Sequence, residues 1–330
     1  MTSLEGPNPS RIGAPVHIPV LPSEVLEHLA GDASLRASLT GWVVDGTVGA
    51  AGHAEALLRE CPGLCVLGLD QDPEILAHAR VRLAPFGERV RLRHARASQI
   101  DALLESEALP APIGMLLDLG VSSLQLDSPE RGFAFQVDGP LDMRMDPTAA
   151  RTAADIINHW DEADLADLIY HEGGDTRARR IARVIVEARH RHPFLRTGAL
   201  ADLIARGVPS GGKTHPATKL FQALRRAVNE EGEELIAALT AAETRLADSA
   251  RLVVISFHSG EDGVVKRFIS RGARAGRWRA LTKKPVSATR SEIRTNRRSR
   301  SALLRAAVRV RSPRDGGAAE RGPQDQEVSS

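Results

Sequence analysis

Short apolar runs alternate with amphipathic segments through the first 120 residues. The apolar runs WVVD, CVLGLD, VRLRH and IGMLLDLG have strand character, and the segments between them have helical spacing. Asp72 followed by Pro73 is typical of a helix start, and Ser23 predicts another N-cap. Repeated strand–helix units favour an α/β fold with a parallel, doubly wound, Rossmann-like sheet.

The rhythm changes between residues 139 and 228, where only helical patterns are found. Strand spacing returns at Arg251–Ser259 (RLVVISFHS). We therefore predict an α/β domain in two parts, 16–138 and 229–311, interrupted by an all-helical substrate-recognition insert at 139–228. Residues 1–15 and 312–330 have the composition of disordered tails.

Composition places the 330-residue chain among globular proteins and predicts a cytoplasmic location. It has 42% hydrophobic residues, yet no apolar run approaches the roughly 20 residues that cross a bilayer, and the N-terminus shows no signal-peptide pattern. Cys61 and Cys65 have no companion pair, which is typical of reduced core residues. We expect neither a membrane partner nor a bound metal.

The formal net charge of +2 conceals a strong asymmetry. Residues 266–311, called the basic segment below, contain 16 Lys or Arg and a single acid, Glu292, so they carry +15 and the rest of the chain −13. Such a block attracts a polyanion, above all nucleic acid. A compositional bias is the alternative, because only five of the 44 basic residues are lysine.

A glycine-rich stretch, DGTVGAAGH, follows the first predicted strand and opens a helix. Gly46, Gly49 and Gly52 bring a ligand close to backbone N–H groups at a helix N-terminus. Asp70 ends the next strand, where a carboxylate can accept both hydroxyls of a ribose, and Asp45 could take an ammonium group. This combination indicates S-adenosylmethionine; a glycine turn required only for packing is the alternative.

A second polar loop follows Asp118, at the carboxyl end of the fourth predicted strand. Open α/β sheets bind ligands at this edge, so the loop DLGVSSLQLD is expected to carry hydrogen-bonding groups into the same crevice. An aspartate that only caps the next helix is the alternative. A nicotinamide-dependent oxidoreductase would share the fold, but the chain lacks G-x-G-x-x-G.

These blocks resemble the RsmH (MraW) family of S-adenosylmethionine-dependent methyltransferases, which act on cytosine N4 in small-subunit ribosomal RNA. The resemblance extends from HIPVL through GTVGAAGH, LDQDP, DLGVSSLQLDSPERGF and GPLDMRMDP to HPATKLFQALRRAVN, VISFHSGED and NRRSRSALLR. It implies 16S rRNA in the small subunit as partner, at a specific cytidine of the decoding region, and leaves a homodimer open.

The resemblance also implies a cofactor site, residue by residue. The family's loop falls on Ala51, Gly52 and His53, its ribose acid on Asp70, its strand-four aspartate on Asp118 and its following glutamine on Gln125. Together with Asp45, Gly46 and Gly49 from the glycine-rich stretch, and with Ala97, these residues form the expected cofactor site. Ala51 replaces a usual glycine and should therefore keep an ordinary backbone angle. Ala97 replaces a frequent phenylalanine, which predicts a looser adenine pocket, and Gly260 replaces a usual leucine.

The reaction needs an acceptor for an N–H of the target amine, because the amine lone pair is delocalised into the cytosine ring. Asp118 is the first candidate, Asp142 the second and His258 the third. Each has a structural alternative: cofactor binding, pairing with Arg144, or a satisfied histidine at a strand end. The RNA-binding candidates are Arg179, Arg183, Lys283, Lys284, Arg297, Arg298 and Arg300.

Two further functional classes fit the same residues. A small-molecule methyltransferase would not need the basic segment, and a non-catalytic RNA-binding assembly factor could retain the fold with an inactive site. Salt-sensitive RNA binding argues against the first, and transfer of a labelled methyl group argues against the second.

Overall fold

The computed structural model describes residues 18–208 and 214–310, so the two predicted tails lie outside the described residues. Within those ranges eight strands form one sheet. The strands are β1 Gly41–Asp45, β2 Leu64–Asp70, β3 Val90–His94, β4 Gly114–Asp118, β5 Arg251–Ser256, β6 Trp278–Ala280, β7 Val286–Ser287 and β8 Leu303–Arg309.

The strand order is β3-β2-β1-β4-β5-β8-β6, with β7 also paired to β8. Strands β1 to β5 run parallel, whereas β8 is antiparallel to β5 and to β6. The order reverses at β1, as in doubly wound sheets, so the predicted fold class is confirmed. The antiparallel edge was not anticipated from the sequence.

Apolar side chains cover both faces of the sheet. Val43 and Leu116 belong to one core cluster, and their neighbours Val44 and Leu117 belong to the cluster on the opposite face. Burial on both faces explains why these strands read as continuous apolar runs.

Fourteen α-helices are described. They are α1 Pro22–Ala30, α2 Ala33–Ser38, α3 Gly52–Glu60, α4 Pro73–Leu83, α5 Ile100–Ser106, α6 Ser123–Asp127, α7 Ala153–His159, α8 Glu162–His171, α9 Ala178–Arg189, α10 Thr197–Gly207, α11 Thr218–Val228, α12 Glu231–Arg245, α13 Ser259–Arg274 and α14 Arg290–Thr295. None of the helices in these ranges is long and apolar enough to cross a bilayer.

The helix starts show where local signals succeed and fail. Asp72 caps α4 by accepting from the backbone N–H groups of Glu74 and Ile75, as predicted. The predicted Ser23 cap is wrong, because α1 begins at Pro22 and its N-cap is Leu21, with φ 53° and no side-chain cap. A local preference is here overridden by the packing of the chain before α1.

Helices α7 to α11 build a core of their own between β4 and β5. Ile156, Ile181, Leu200 and Leu220 are fully buried in this cluster, which also includes Phe133. Helix α12 then packs Leu235 and Leu239 against the sheet. The helical block therefore enters and leaves the α/β part near the carboxyl edge of β4.

Candidate active site

Three carboxylates end adjacent strands at the carboxyl edge of the sheet. Asp45, Asp70 and Asp118 terminate β1, β2 and β4, and β1 lies between the other two strands. A cavity of about 570 Å³ opens at this edge, between the sheet and the helical block. Parallel sheets bind ligands at the point where the strand order reverses, and this cavity occupies that point.

The glycine loop forms one wall of the cavity. Gly46, Gly49 and Gly52 all line it, together with His53. Gly49 has φ +52°, a left-handed conformation that glycine adopts without strain, and its N–H donates to Asp70 Oδ2 at 2.9 Å. The loop is thus tied to the end of β2, and its backbone faces the cavity.

Ala51 contradicts the expectation of an ordinary backbone angle. It adopts φ 63° and ψ 27° as the N-cap of α3, and it is completely buried. A left-handed alanine costs about 1–2 kcal/mol relative to its usual conformations. The loop geometry therefore persists without the usual glycine, because the contacts on both sides fix the backbone. Ala51 does not itself line the cavity.

Asp45 lies beneath the loop and is not among the residues that line the cavity. Its side chain is 1% exposed, and Oδ1 accepts from Thr47 N at 3.2 Å. Burial raises the pKa of Asp45 to about 7, against the opposing influence of His53. The arrangement supports the loop rather than a direct contact with a ligand ammonium group.

Asp70 lines the cavity and also holds the loop in place. Its two carboxylate oxygens accept from Gly49 N and Asp72 N, each at 2.9 Å. Burial raises the pKa of Asp70 to about 6 despite these two bonds. A carboxylate oxygen accepts more than one hydrogen bond, so both oxygens retain capacity for ribose hydroxyls.

His53 and Asp118 face one another within the cavity. His53 Nε2 lies 3.5 Å from Asp118 Oδ2, and His53 is 7% exposed. Neither His53 ring nitrogen nor Asp118 Oδ1 has a hydrogen-bond partner among the described residues, although these atoms are buried. Buried polar atoms are normally satisfied, and both residues line the cavity, so these atoms are available to a ligand bound there.

Gln125 and Ala97 line the cavity, but they contribute in different ways. The Gln125 amide accepts from Ser122 N at 2.9 Å and donates to Asp72 Oδ2 at 2.8 Å. Its polar atoms thus fix the loop after β4 to the start of α4. Ala97 begins a 3₁₀ turn, Ala97–Gln99, and offers only a methyl group to the cavity.

His258 lines the cavity on the far side of β4, as the N-cap of α13. Its Nδ1 accepts from Gly260 N and Glu261 N, so the ring proton lies on Nε2, which is 2.8 Å from Glu261 Oε1. Burial raises the pKa of Glu261, but His258 outweighs this and leaves it below its usual value. His258 has little capacity left to accept a substrate proton.

Asp142, the second acceptor candidate, does not line the cavity. Its carboxylate forms a bidentate pair with Arg144, at 2.8 Å to Nε and 2.7 Å to Nη2. Partial burial raises the pKa of Asp142, but the Arg144 contacts outweigh it and hold the pKa below its usual value. The structure thus favours the pairing alternative for this residue.

The predicted RNA-binding cations occupy two separate surfaces. Arg179 and Arg183 are exposed on α9, and Arg183 is 3.6 Å from Glu162. In the basic segment, Lys283 and Lys284 are exposed between β6 and β7.

The remaining three cations lie in the 3₁₀ turn Arg297–Ser301. Arg297 and Arg300 are exposed, whereas Arg298 lines the cavity and pairs with Asp127 at 3.1 Å. The basic segment therefore reaches the rim of the cavity itself.

The helical block supplies a cavity wall whose residues were not predicted from the sequence. Glu172 and Gly173, just beyond α8, line the cavity together with Gln222, Arg225 and Arg226 of α11. Arg226 Nη2 is 3.0 Å from Glu172 Oε2, and its buried Nε has no partner among the described residues. The block HPATKLFQALRRAVN contained the signal, since two arginines lie in an otherwise amphipathic helix.

Comparison with known proteins identifies the family of this chain. The family model described as the MraW methylase family matches residues 14–310. The chain belongs to the MraW methylase family. Membership confirms the methyltransferase class expected from the sequence, and with it the dependence on S-adenosylmethionine. It also sets aside the oxidoreductase alternative.

Individual relatives of this MraW methylase span most of its length. A protein of Methylobacterium sp. (strain 4-46) named Ribosomal RNA small subunit methyltransferase H is 46% identical over 323 residues, which are 91% of this chain and 93% of that protein. A protein of Synechococcus elongatus with the same name is 46% identical over 300 residues, 89% of this chain and 95% of that one.

Among solved structures, an rRNA methylase from Streptococcus thermophilus aligns with a TM-score of 0.39 at 10% identity. The alignment covers 82% of this chain and 88% of that one.

The residues around the cavity fit the methyl donor. An acidic side chain at the end of β2 suits ribose hydroxyls, and the glycine loop leaves backbone open to the tail. The unpartnered Asp118 oxygen suits a positively charged group or an N–H donor. Ala97 offers the cavity a methyl group and no aromatic ring.

Proposed function

We propose that this MraW methylase transfers a methyl group to the exocyclic N4 of a specific cytidine in the decoding region of 16S rRNA, in the cytoplasm. The position of Asp118 supports this proposal. Its buried Oδ1 has no partner among the described residues, and the residue lines the cavity between the glycine loop and the helical block. The relatives, named as methyltransferases of small-subunit rRNA, support the substrate class.

The proposed role of each residue follows from its position in the cavity. S-adenosylmethionine, when bound, supplies an electrophilic methyl group. Gly46–Gly52 and Asp70 hold it, and His53 stands beside Asp118. Asp118 then accepts an N–H of the target amine, which makes the nitrogen lone pair available and offsets the positive charge that develops on it.

Specificity for an amine over a carbonyl follows from the same carboxylate. An ionised Asp118 only accepts hydrogen bonds, so it favours the N4 amine of cytosine and repels the O4 carbonyl of uracil. Two acceptors that face each other without a hydrogen in a buried site cost about 1–3 kcal/mol. Asp142 is a weaker candidate for this role because it pairs with Arg144, and His258 because two backbone N–H groups occupy its Nδ1.

The base must leave its stack to reach the cavity, because an edge paired within a helix is inaccessible. The end of α8 and helix α11 line the cavity together with the glycine loop, so a nucleotide can enter between this wall and the loop. Cations of the 3₁₀ turn Arg297–Ser301 then contact phosphates at the rim, which is the role proposed for the basic segment.

Mapping N4-methylated cytidines in small-subunit rRNA, with the chain present and with it absent, tests this proposal. We expect one cytidine to lose its methyl group when the chain is absent and to regain it when the chain is restored. A chain carrying Asp118→Asn is the matched control. A full methylation pattern without the chain would contradict the rRNA substrate, and methylation restored by the Asp118→Asn chain would contradict the acceptor role.

A further inference from the structure

Residues 18–21, called the N-terminal strap below, form part of the cavity wall just before α1. Pro19 and Val20 line the cavity, and the Pro19 ring packs so closely on α3 that a Cβ at Gly52 would lie 3.1 Å from it. Leu21 is fully buried with φ 53° and ψ 44°, a left-handed conformation that is costly for leucine. The strap therefore needs support from elsewhere in the chain.

That support comes from the basic segment, 271 residues away in sequence. Glu292 Oε1 accepts from Leu21 N at 2.7 Å, which fixes the strained residue through its N–H. Asn296 Nδ2 donates to Ile18 O at 3.1 Å, at the other end of the strap. Glu292 is the single acid among residues 266–311, and its carboxylate makes this contact.

The same asparagine also orders the turn that carries the proposed phosphate contacts. Asn296 Oδ1 accepts from Arg298 N at 3.2 Å, and Ser299 Oγ donates to Asn296 O at 2.7 Å. Arg298 lines the cavity, and its buried Nη1 has no partner among the described residues. The strap and the turn Arg297–Ser301 thus share one anchoring residue.

We propose that Glu292 and Asn296 are positioning residues that hold the strap against the cofactor, and that they couple cofactor binding to RNA binding at the turn. The inference rests on the proposed function for its RNA ligand. Phosphate contacts that order the turn also order Asn296, and so favour the strap conformation that closes on the cofactor. Linkage makes the effect reciprocal: bound cofactor strengthens RNA binding by the same factor.

Calorimetric titration with S-adenosylhomocysteine, with and without a small-subunit rRNA fragment, tests the coupling. For the parent chain we expect RNA to tighten binding of this ligand about fivefold or more. Glu292→Ala should weaken binding about fivefold or more without RNA and lose most of the RNA effect. Glu292→Gln should restore both, because an amide oxygen still accepts from Leu21 N. Glu243→Ala, which removes an ion pair with Arg277 outside the strap, is the matched control.

Asn296→Asp separates coupling from folding. An aspartate still accepts from Arg298 N but cannot donate to Ile18 O. Its added negative charge lowers RNA affinity, so the titration is run at saturating RNA, where the RNA effect on cofactor affinity should be absent. Parent-like cofactor affinity and RNA effect in Glu292→Ala or Asn296→Asp would overturn the inference. A parent chain that binds no rRNA would instead contradict the proposed function, and the RNA-free titration of Glu292→Ala would still decide whether the strap is held in this way.

Discussion

His53 Nε2 lies 3.5 Å from Asp118 Oδ2 at the carboxyl edge of the sheet, and the other Asp118 oxygen has no partner among the described residues. The pair joins the glycine loop after β1 to the end of β4. Asp118 is thus in contact with the glycine loop through one oxygen, and its other oxygen is the proposed acceptor for the substrate amine. Its position, more than its charge, distinguishes it from Asp142, whose two oxygens both bind Arg144.

Asp118→Asn should lower the rate of methyl transfer by a factor on the order of 10²–10³. The amide has the size of the carboxylate but offers no negative charge to the developing positive charge on nitrogen. Cofactor affinity should change much less, since an amide oxygen still accepts a hydrogen bond. Single-turnover transfer to small subunits, measured beside a cofactor titration, separates the two effects.

His258→Ala provides the comparison for that experiment. Its Nδ1 is occupied by two backbone N–H groups, so we expect a smaller rate defect than for Asp118→Asn. A rate loss in Asp118→Asn that weaker cofactor binding explains completely would make Asp118 a binding residue only. A larger defect in His258→Ala would transfer the acceptor role to the histidine.

Asp70→Ala should weaken S-adenosylhomocysteine binding at least about tenfold. The variant loses the ribose acceptor and also the bond that fixes Gly49 N, and charged hydrogen bonds contribute about 1.5–3 kcal/mol each. Calorimetry of the folded variant measures the loss. Equal affinity for parent and variant would remove Asp70 from the cofactor site.

The pKa of Asp70 predicts how cofactor binding depends on pH. Because that pKa is about 6, acidification below pH 6 protonates the carboxylate and removes a charged acceptor. Affinity for S-adenosylhomocysteine should therefore fall from pH 7 to pH 5 in the parent. Asp70→Asn, which does not titrate, should show a shallower fall over the same range, and parallel curves would show that another group controls the dependence.

Asp45→Asn should change the pH dependence of stability. The folded pKa of about 7 exceeds the ordinary value of 3.8, so this group's contribution is most favourable below pH 4 and is lost as pH rises to 7. Each pKa unit corresponds to about 1.4 kcal/mol. The asparagine can still accept from Thr47 N but has no charge to bury. The free energy of unfolding of Asp45→Asn, measured by denaturant titration, should therefore fall less between pH 5 and pH 8 than that of the parent.

How far the sequence predicted this site depends on whether the signal was local. The sequence predicted correctly that Gly46–Gly52 joins a strand to a helix and that Asp70 and Asp118 end strands, because local patterns determine these positions. The ordinary backbone angle predicted for Ala51 was wrong, since this buried residue is the N-cap of α3 and adopts a left-handed conformation against its own preference. The arginines of α11 were visible in the sequence as a local pattern, but their position beside Glu172 in the cavity wall depends on how α11 packs against the end of α8.

The contact between Glu292 and Leu21 illustrates the same limit at longer range. Sequence composition identified Glu292 as the one acid in the basic segment, but its partner is a backbone N–H near the other end of the described chain. A backbone donor leaves no trace in residue identity. Such a contact becomes visible only when the fold brings α14 beside the N-cap of α1.

Neutralising Arg297, Arg298 and Arg300 together should weaken rRNA binding and flatten its salt dependence. Each phosphate contact contributes about one unit to the log–log slope of affinity against salt concentration, so three contacts lower the slope by up to about three units. A comparison variant replaces Arg179, Arg180 and Arg183, exposed cations on α9 that do not line the cavity and that include the two RNA-binding candidates of the other surface. Filter binding of the small-subunit rRNA fragment across a salt series measures both slopes. A parent-like slope in the first variant would make compositional bias the explanation for that cluster, and an equal fall in both would extend the RNA surface across the helical block.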